Sequence, residues 1–187
     1  PSLVGSEMCI RDSYRKVHWG CHYYFFRWDD PRKLRIPTIP GMTIAKVYDE
    51  EDRAKAEGLA EAYHGRPKVC DSYEEVSDDV DLVFISDCLG EGKDHLKLAE
   101  PGLKKGVPTF VDKPFAFTLD DARAMVSLAL EHDTPLLSAS LLRVNPLIEQ
   151  FRNRFAEIAP VGMGVVKGVG ASGLNAVIHG LSLAQHI

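Results

Sequence analysis

The sequence is short of every feature that would take it out of the ordinary globular classes. No apolar run approaches the roughly 20 residues needed to cross a bilayer, and nothing visible reads as a charged-then-apolar secretory leader. Cysteine is scarce: Cys9, Cys21, Cys70 and Cys88 are scattered without CxxC or any other metal-ligand spacing. That pattern points to free thiols in a reducing cytoplasm and to no metal site. Basic residues are outnumbered, 22 Lys and Arg against 27 Asp and Glu, for a net charge of −5. Nucleic acid and anionic membrane both reward a concentrated basic surface, so neither is expected as a partner. Internal repeats and low-complexity tracts are absent as well. What remains is 187 residues, 45% hydrophobic and 26% charged, enough for one good core and part of a second.

The two ends stand apart. Residues 2–13, SLVGSEMCIRDS, resemble the translated read-through of a sequencing adaptor, with a natural polar tail as the other reading; residues 1–14 are set aside from fold reasoning. The chain stops inside LNAVIHGLSLAQHI, an apolar helix-like run without a terminator, so a fragment is expected.

From residue 42 strand and helix signals alternate. MTIAKVY (42–48) is β-rich, and the alanine-rich stretch after it is helical, with Gly65 as its stop. SYEEV (72–76) has Ser72 and Glu75 at capping-box spacing for a short helix. VDLVFIS (80–86) is a continuous apolar run, as in a strand covered on both faces. A helix is predicted over 94–106, kinked or ended by Pro101-Gly102. VPTFV (107–111) is the next strand. The helix of 118–133 opens with Thr118 and Asp121 at cap spacing and turns Ala122, Met125, Val126 and Ala129 to one face. TPLLSAS (134–140) is a further strand. After Asn145-Pro146 a helix, a glycine-spaced strand (VGMGVVKGVG) and a final helix follow. Repeated βα units of this size predict an α/β fold with a parallel sheet and helices on both faces over 15–142. Residues 143–187 are the incomplete start of a second, C-terminal α/β domain.

Open parallel sheets bind ligands at the carboxyl ends of their strands. There the sequence offers Asp49, then Ser86-Asp87 with His95 shortly after, then Asp112-Lys113-Pro114, then Ser138, Ser140 and Arg143. Asp49 suits the two hydroxyls of an adenosine ribose and would repel a 2′-phosphate, but the run YDEED serves equally as acid at a helix start. Lys113, on a rigid strand end beside a proline, can exchange a proton with a substrate oxygen; the bland alternative is a surface lysine in a turn.

The series from VDLVFIS to Arg143, with His95, Lys105-Gly106, Asp112-Lys113-Pro114 and Arg143 in order and at matching gaps, resembles the glucose–fructose oxidoreductase, inositol dehydrogenase and MocA family over about residues 40–187. The resemblance implies a Rossmann-like domain binding NAD or NADP, NAD being favoured by Asp49, and hydride transfer with a hydroxyl or carbonyl of a sugar or cyclitol. It makes Lys113 and His179 the catalytic candidates. Cofactor contacts would come from Gly20, Asp49, Ser86, Asp87, His95, Asp112, Lys113 and Pro114, and substrate contacts from Lys113, Arg143, Asn175 and His179. Read alone, His179 in an apolar helix is more often a core histidine. Two departures matter. The family's acid four residues before that histidine is Asn175 here, which cannot exchange a proton as a carboxylate does. The expected G-x-G-x-x-G is reduced to Gly20 in RKVHWGCHYYFFRWDD, where Tyr23 and Tyr24 would crowd a pyrophosphate. A non-catalytic dinucleotide- or sugar-binding relative therefore stays open, and a phospho-receiver domain, imitated by Asp49-Glu50, Asp87 and DKPF, less so. A cytoplasmic protein, homo-oligomeric at full length, completes the expectation.

Overall fold

The computed structural model describes residues 3–4, 42–50, 52–62, 67–86, 91–166 and 174–187. Among the described residues the four strand pairings are parallel and fall in three sheets. β1 (Leu3–Val4) pairs with β2 (Met42–Thr43), β3 (Lys46–Val47) with β4 (Lys68–Val69), and β5 (Val83–Ile85), β6 (Thr109–Val111) and β7 (Leu136–Leu137) lie side by side in that order. The helices are α1 (Arg53–Ala62), α2 (His95–Lys104), α3 (Leu119–Glu131), α4 (Pro146–Asn153) and α5 (Leu174–His186). This is the predicted α/β arrangement. Among the described residues no helix is long and apolar enough to cross a membrane.

The main core lies between β5–β6 and the helices α2 and α3. Val83, Ile85, Leu98, Ala99, Leu103, Val111, Met125 and Ala129 are buried there. A smaller cluster packs Val47 against Ala56, Leu59 and Ala60 of α1. Of the apolar run 80–86, the face with Val83 and Ile85 is buried under these helices, whereas Phe84 on the other face is half-buried and stacks on Phe110.

Several local expectations are corrected. The run 42–48 divides into two short strands, β2 and β3, with Ile44 and Ala45 between them. Leu3–Val4, in a stretch expected to form no element, pairs with β2. α2 runs through Pro101-Gly102 to Lys104. Burying Leu98 and Leu103, at about 1.5–3 kcal/mol each, outweighs the roughly 3 kcal/mol that an interior proline costs. The capping box of Ser72 and Glu75 does not form; the element is a 3-10 turn, Glu74–Ser77, without a side-chain cap. Instead the Lys105 ammonium closes its far end, donating to the Glu74 carbonyl at 2.8 Å, Ser77 Oγ at 2.9 Å and Asp78 Oδ1 at 2.6 Å. The cap of α3 is as predicted, with Asp121 N–H donating to Thr118 Oγ1 at 3.1 Å. Met125 and Ala129 of the predicted face are buried, whereas Val126 is exposed. Residues 161–166 carry no strand, since the alternating glycines leave Met163 and Val165 nothing to pack against. Gly20, Gly65 and Asp87 lie outside the described residues.

Gly102 explains how α2 comes so close to the sheet. A Cβ there would meet Thr109 Oγ1 at 2.9 Å and Val83 Cγ2 at 3.2 Å. The threonine cannot swing aside freely, because its hydroxyl donates to the Val107 carbonyl at 2.9 Å. Gly102→Ala is expected to destabilise the chain by about 1–3 kcal/mol through overpacking. Gly58→Ala in α1, with open space around the new methyl, is expected to stabilise by about 0.5–1 kcal/mol. Urea unfolding of the two variants checks the opposite signs.

Candidate active site

The corner after β6 is held from two sides. β6 ends at Val111, and Asp112 N–H donates back to the Ile85 carbonyl at 2.8 Å, so pairing with β5 continues one residue further. The chain then turns through a cis Lys113–Pro114 bond. His95, the first residue of α2 and fully buried, bonds the Phe115 carbonyl through Nδ1 at 3.1 Å. Gly92, at φ +85°, passes so close that a Cβ would lie 2.8 Å from the Pro114 carbonyl oxygen. His95 thus ties the lysine-bearing corner to the start of α2.

Lys113 emerges from this corner half-buried, its ammonium 3.8 Å from the Asp112 carboxylate. It lines a cleft of about 750 Å³ together with Phe115, Ser138, Ser140, Arg143 and Ser182, and with an apolar wall from α3 and β7. The opposite polar wall comes from α5. That helix docks through one stripe, His179, Ser182 and Gln185-His186, spaced three and four residues apart as neighbours on one helical face. His179 Nδ1 lies 2.7 Å from Ser140 Oγ. Arg143 donates from Nε to Ser182 Oγ at 2.8 Å and from Nη2 to Gln185 Oε1 at 3.0 Å. His186 bonds the Glu149 carboxylate of α4. Arg143, which also lines the cleft, thereby holds α5.

The lysine and the histidine sense each other. The His179 ring is pushed below the usual histidine range, first by burial and then by the Lys113 charge, while Asp112 pulls the other way. Two groups distant in sequence therefore share one electrostatic environment. Burial and a neighbouring cation both disfavour the imidazolium, so His179 is neutral at pH 7.

Asp49 ends β3 buried, and its Oδ1 accepts the Asp52 N–H at 2.9 Å. Asp52 in turn caps α1, its carboxylate accepting from Ala54 N–H at 3.1 Å. The two sequence readings of Asp49 thus meet: one oxygen orders the loop into the helix, and the group remains a strand-end carboxylate. Glu50, next to it, pairs with Lys97 of α2, which brings the carboxyl end of β3 beside the helix that follows β5. Ser86 sits half-buried at the end of β5. An acceptor carboxylate at one strand end and a cation at another is a donor and acceptor set that fits a dinucleotide with a free ribose. Asn175 lies in the first turn of α5, one helical turn before His179. Ser140 and Ser182 were not among the predicted site residues. The i, i+3, i+7 polar spacing of His179, Ser182 and His186 within an otherwise apolar run is the signal that marks this face.

Comparison with known proteins agrees with this geometry. A family model described as "Oxidoreductase family, NAD-binding Rossmann fold" matches residues 28–139. UDP-N-acetylglucosamine 3-dehydrogenase of Acidithiobacillus ferrooxidans is 29% identical over 109 residues, which are 58% of this chain and 33% of that protein. An oxidoreductase from Agrobacterium radiobacter, solved in complex with NAD+, L-tartaric acid and magnesium, superposes with a TM-score of 0.66 at 20% identity, covering 99% of this chain and 54% of that one. Biliverdin reductase from Synechocystis, solved with biliverdin and NADP+, does so with a TM-score of 0.57 at 17% identity, covering 83% of this chain and 43% of that one. The chain thus spans from a third to about half of these proteins' lengths. With the matched segment running through β2 to β7 and the Lys113 corner, the chain belongs to the Gfo/Idh/MocA oxidoreductase family with its NAD-binding Rossmann fold.

Proposed function

We propose that this chain is the dinucleotide-binding part, with the adjoining seam, of an NAD-dependent dehydrogenase or reductase acting on a hydroxyl or carbonyl of a sugar or cyclitol. The observation that carries the reading is the nearness of His179 to the cleft that Lys113 lines: the lysine charge helps depress the ring, and Ser140, bonded to the ring, lines the cleft beside Lys113. The sugar class is supported by the 29% identical relative, a sugar-nucleotide dehydrogenase. NAD, when bound, supplies the acceptor or donor of the hydride. Asp49 would receive the ribose hydroxyls, and Lys113 would exchange a proton at the reacting oxygen. NAD is preferred to NADP because Asp49 is an acid and the nearby Arg53 is paired with Glu57 and Asp71, leaving a 2′-phosphate repelled. Asn175 favours a second reading, a relative that binds dinucleotide or sugar without turning it over. Hydride transfer across a panel of sugars and cyclitols separates the two: binding with no transfer to or from any member sustains the second.

Lys113→Met is expected to lower kcat/KM by about 100-fold or more. Its stability should change by less than about 1 kcal/mol, since the ion pair to Asp112 is long and partly exposed. Parallel kinetics and urea titration check this, and a stability loss that accounts for the lost turnover refutes the catalytic role. Isothermal titration is expected to show NADH binding tighter than NADPH, and Asp49→Asn, which keeps the acceptor for Asp52 N–H, to narrow that preference about tenfold, or ~1.4 kcal/mol.

His179 also makes stability depend on pH. Its folded pKa lies below the unfolded value of about 6.5, so the unfolded chain binds the proton more readily. The stabilisation is present in full above that value and is lost as pH falls through the depressed folded one. The fall in urea midpoint between about pH 7.5 and 5.5 is expected to be smaller in His179→Gln than in the wild type.

A further inference from the structure

We propose that Ser140 fixes the tautomer of His179, making the histidine a hydrogen-bond donor through Nε2 and leaving proton exchange at the reacting oxygen to Lys113. The proposal rests on the oxidoreductase reading above.

Ser140 follows β7 and is 3% exposed, so water does not compete for its hydroxyl. Its oxygen accepts the Leu142 N–H at 3.2 Å and lies 2.7 Å from His179 Nδ1. A serine hydroxyl has one proton to give. Among the described residues, Nδ1 is the acceptor within its reach, and a neutral ring has one bare nitrogen to offer. The network therefore assigns the bare nitrogen to Nδ1 and the proton to Nε2. The opposite tautomer would aim an Nδ1–H at a hydroxyl whose own proton then has no acceptor among the described residues. A half-satisfied buried hydroxyl of that kind is unfavourable, because its donor loses water without gaining a partner.

The groups around the ring support the same division. Lys113 and Asp112 come from the corner after β6, Ser140 and Arg143 from the turn after β7, and Arg143 is engaged with Ser182 and Gln185. Asn175, one turn before the histidine, brings no carboxylate. With neutral Ser140 as the ring's partner, His179 has no acid through which to pass a proton on. In the reduction direction the Lys113 ammonium would give a proton to the substrate carbonyl oxygen as its carbon takes up a hydride, so that C=O becomes H–C–O–H. The dinucleotide, when bound, would supply that hydride. Throughout, Nε2–H donates to that oxygen, and the ring ends in the protonation state in which it began.

The test is the tautomer itself, read from long-range 1H–15N correlations of the labelled 187-residue chain near neutral pH. The wild type is expected to show one pattern, Nε2 protonated and Nδ1 bare. Ser140→Ala should lose that single pattern, with Nδ1 and Nε2 shifts moving toward a mixture, and Ser140→Thr should restore it. Ser182→Ala, which removes the Arg143 contact one turn along, should leave the pattern in place. An Nδ1–H ring in the wild type overturns the proposal, as does a folded Ser140→Ala whose ring shifts match the wild type. Should Ser140→Ala not fold, the wild-type and Ser140→Thr spectra decide, and an Nδ1–H ring in either overturns it. The readout needs neither cofactor nor substrate. A failure of hydride transfer would therefore sink the oxidoreductase reading while leaving the tautomer result standing.

Discussion

The corner that follows β6 depends on a close approach that a single side-chain atom would prevent. Gly92 lies against the Pro114 carbonyl at a distance no Cβ could share, and the space so freed lets His95 reach the Phe115 carbonyl. Both contacts are made by the segment that opens α2, and α2 is itself pressed onto β5 and β6 because Gly102 is bare. Strand, helix and corner thus form one unit in which the Lys113 backbone has little freedom. The lysine stem can then be aimed at the cleft that it lines. A rigid backbone helps to hold a reactive group in a defined place.

The second wall of the cleft is built on a different principle. α5 does not enter the apolar core; Val177 and Leu181 remain exposed, while His179 and Ser182 face inward. Its attachment is a row of hydrogen bonds to Ser140, Arg143 and Glu149. Hydrogen bonds fix direction more narrowly than apolar packing does, and net about 0.5–1.5 kcal/mol each. Such a seam specifies which face of the helix is presented to Lys113 at modest cost in stability.

Much of the fold was legible because parallel strands leave largely apolar runs, and 80–86 and 107–111 are such runs, each with one face buried and the other half-buried. The Thr118 cap was legible because its partner Asp121 lies within one turn. What failed was what depends on contacts made elsewhere. Pro101-Gly102 was expected to kink or end α2, and that the helix does not end there could not be read locally, since nothing local shows how much apolar surface Leu98 and Leu103 bury. Ser72 and Glu75 have the right spacing, yet a lysine from a distant helix end closes that turn. Of the site, Lys113 could be singled out from its strand-end position. The protein contacts of His95 and Arg143 could not, because which backbone or side-chain group a polar residue meets is decided by tertiary packing. Ser140 stood in the strand-end series, but its partner lies across a helix boundary that periodicity alone cannot orient.

The pairing of a lysine with a neutral histidine has a physical logic that a carboxylate in place of Ser140 would reverse. A buried acid against Nδ1 would favour the imidazolium, and a second cation beside Lys113 would then lower the lysine's own proton affinity through repulsion. A hydroxyl carries no charge and exerts neither effect. The ring stays neutral because burial and the Lys113 charge act in the same direction. In that state it offers a directed N–H without adding net charge to the cleft, and Asp112 remains the carboxylate beside the ammonium. The charges that act on the ring then come from Lys113 and Asp112, consecutive residues just past β6.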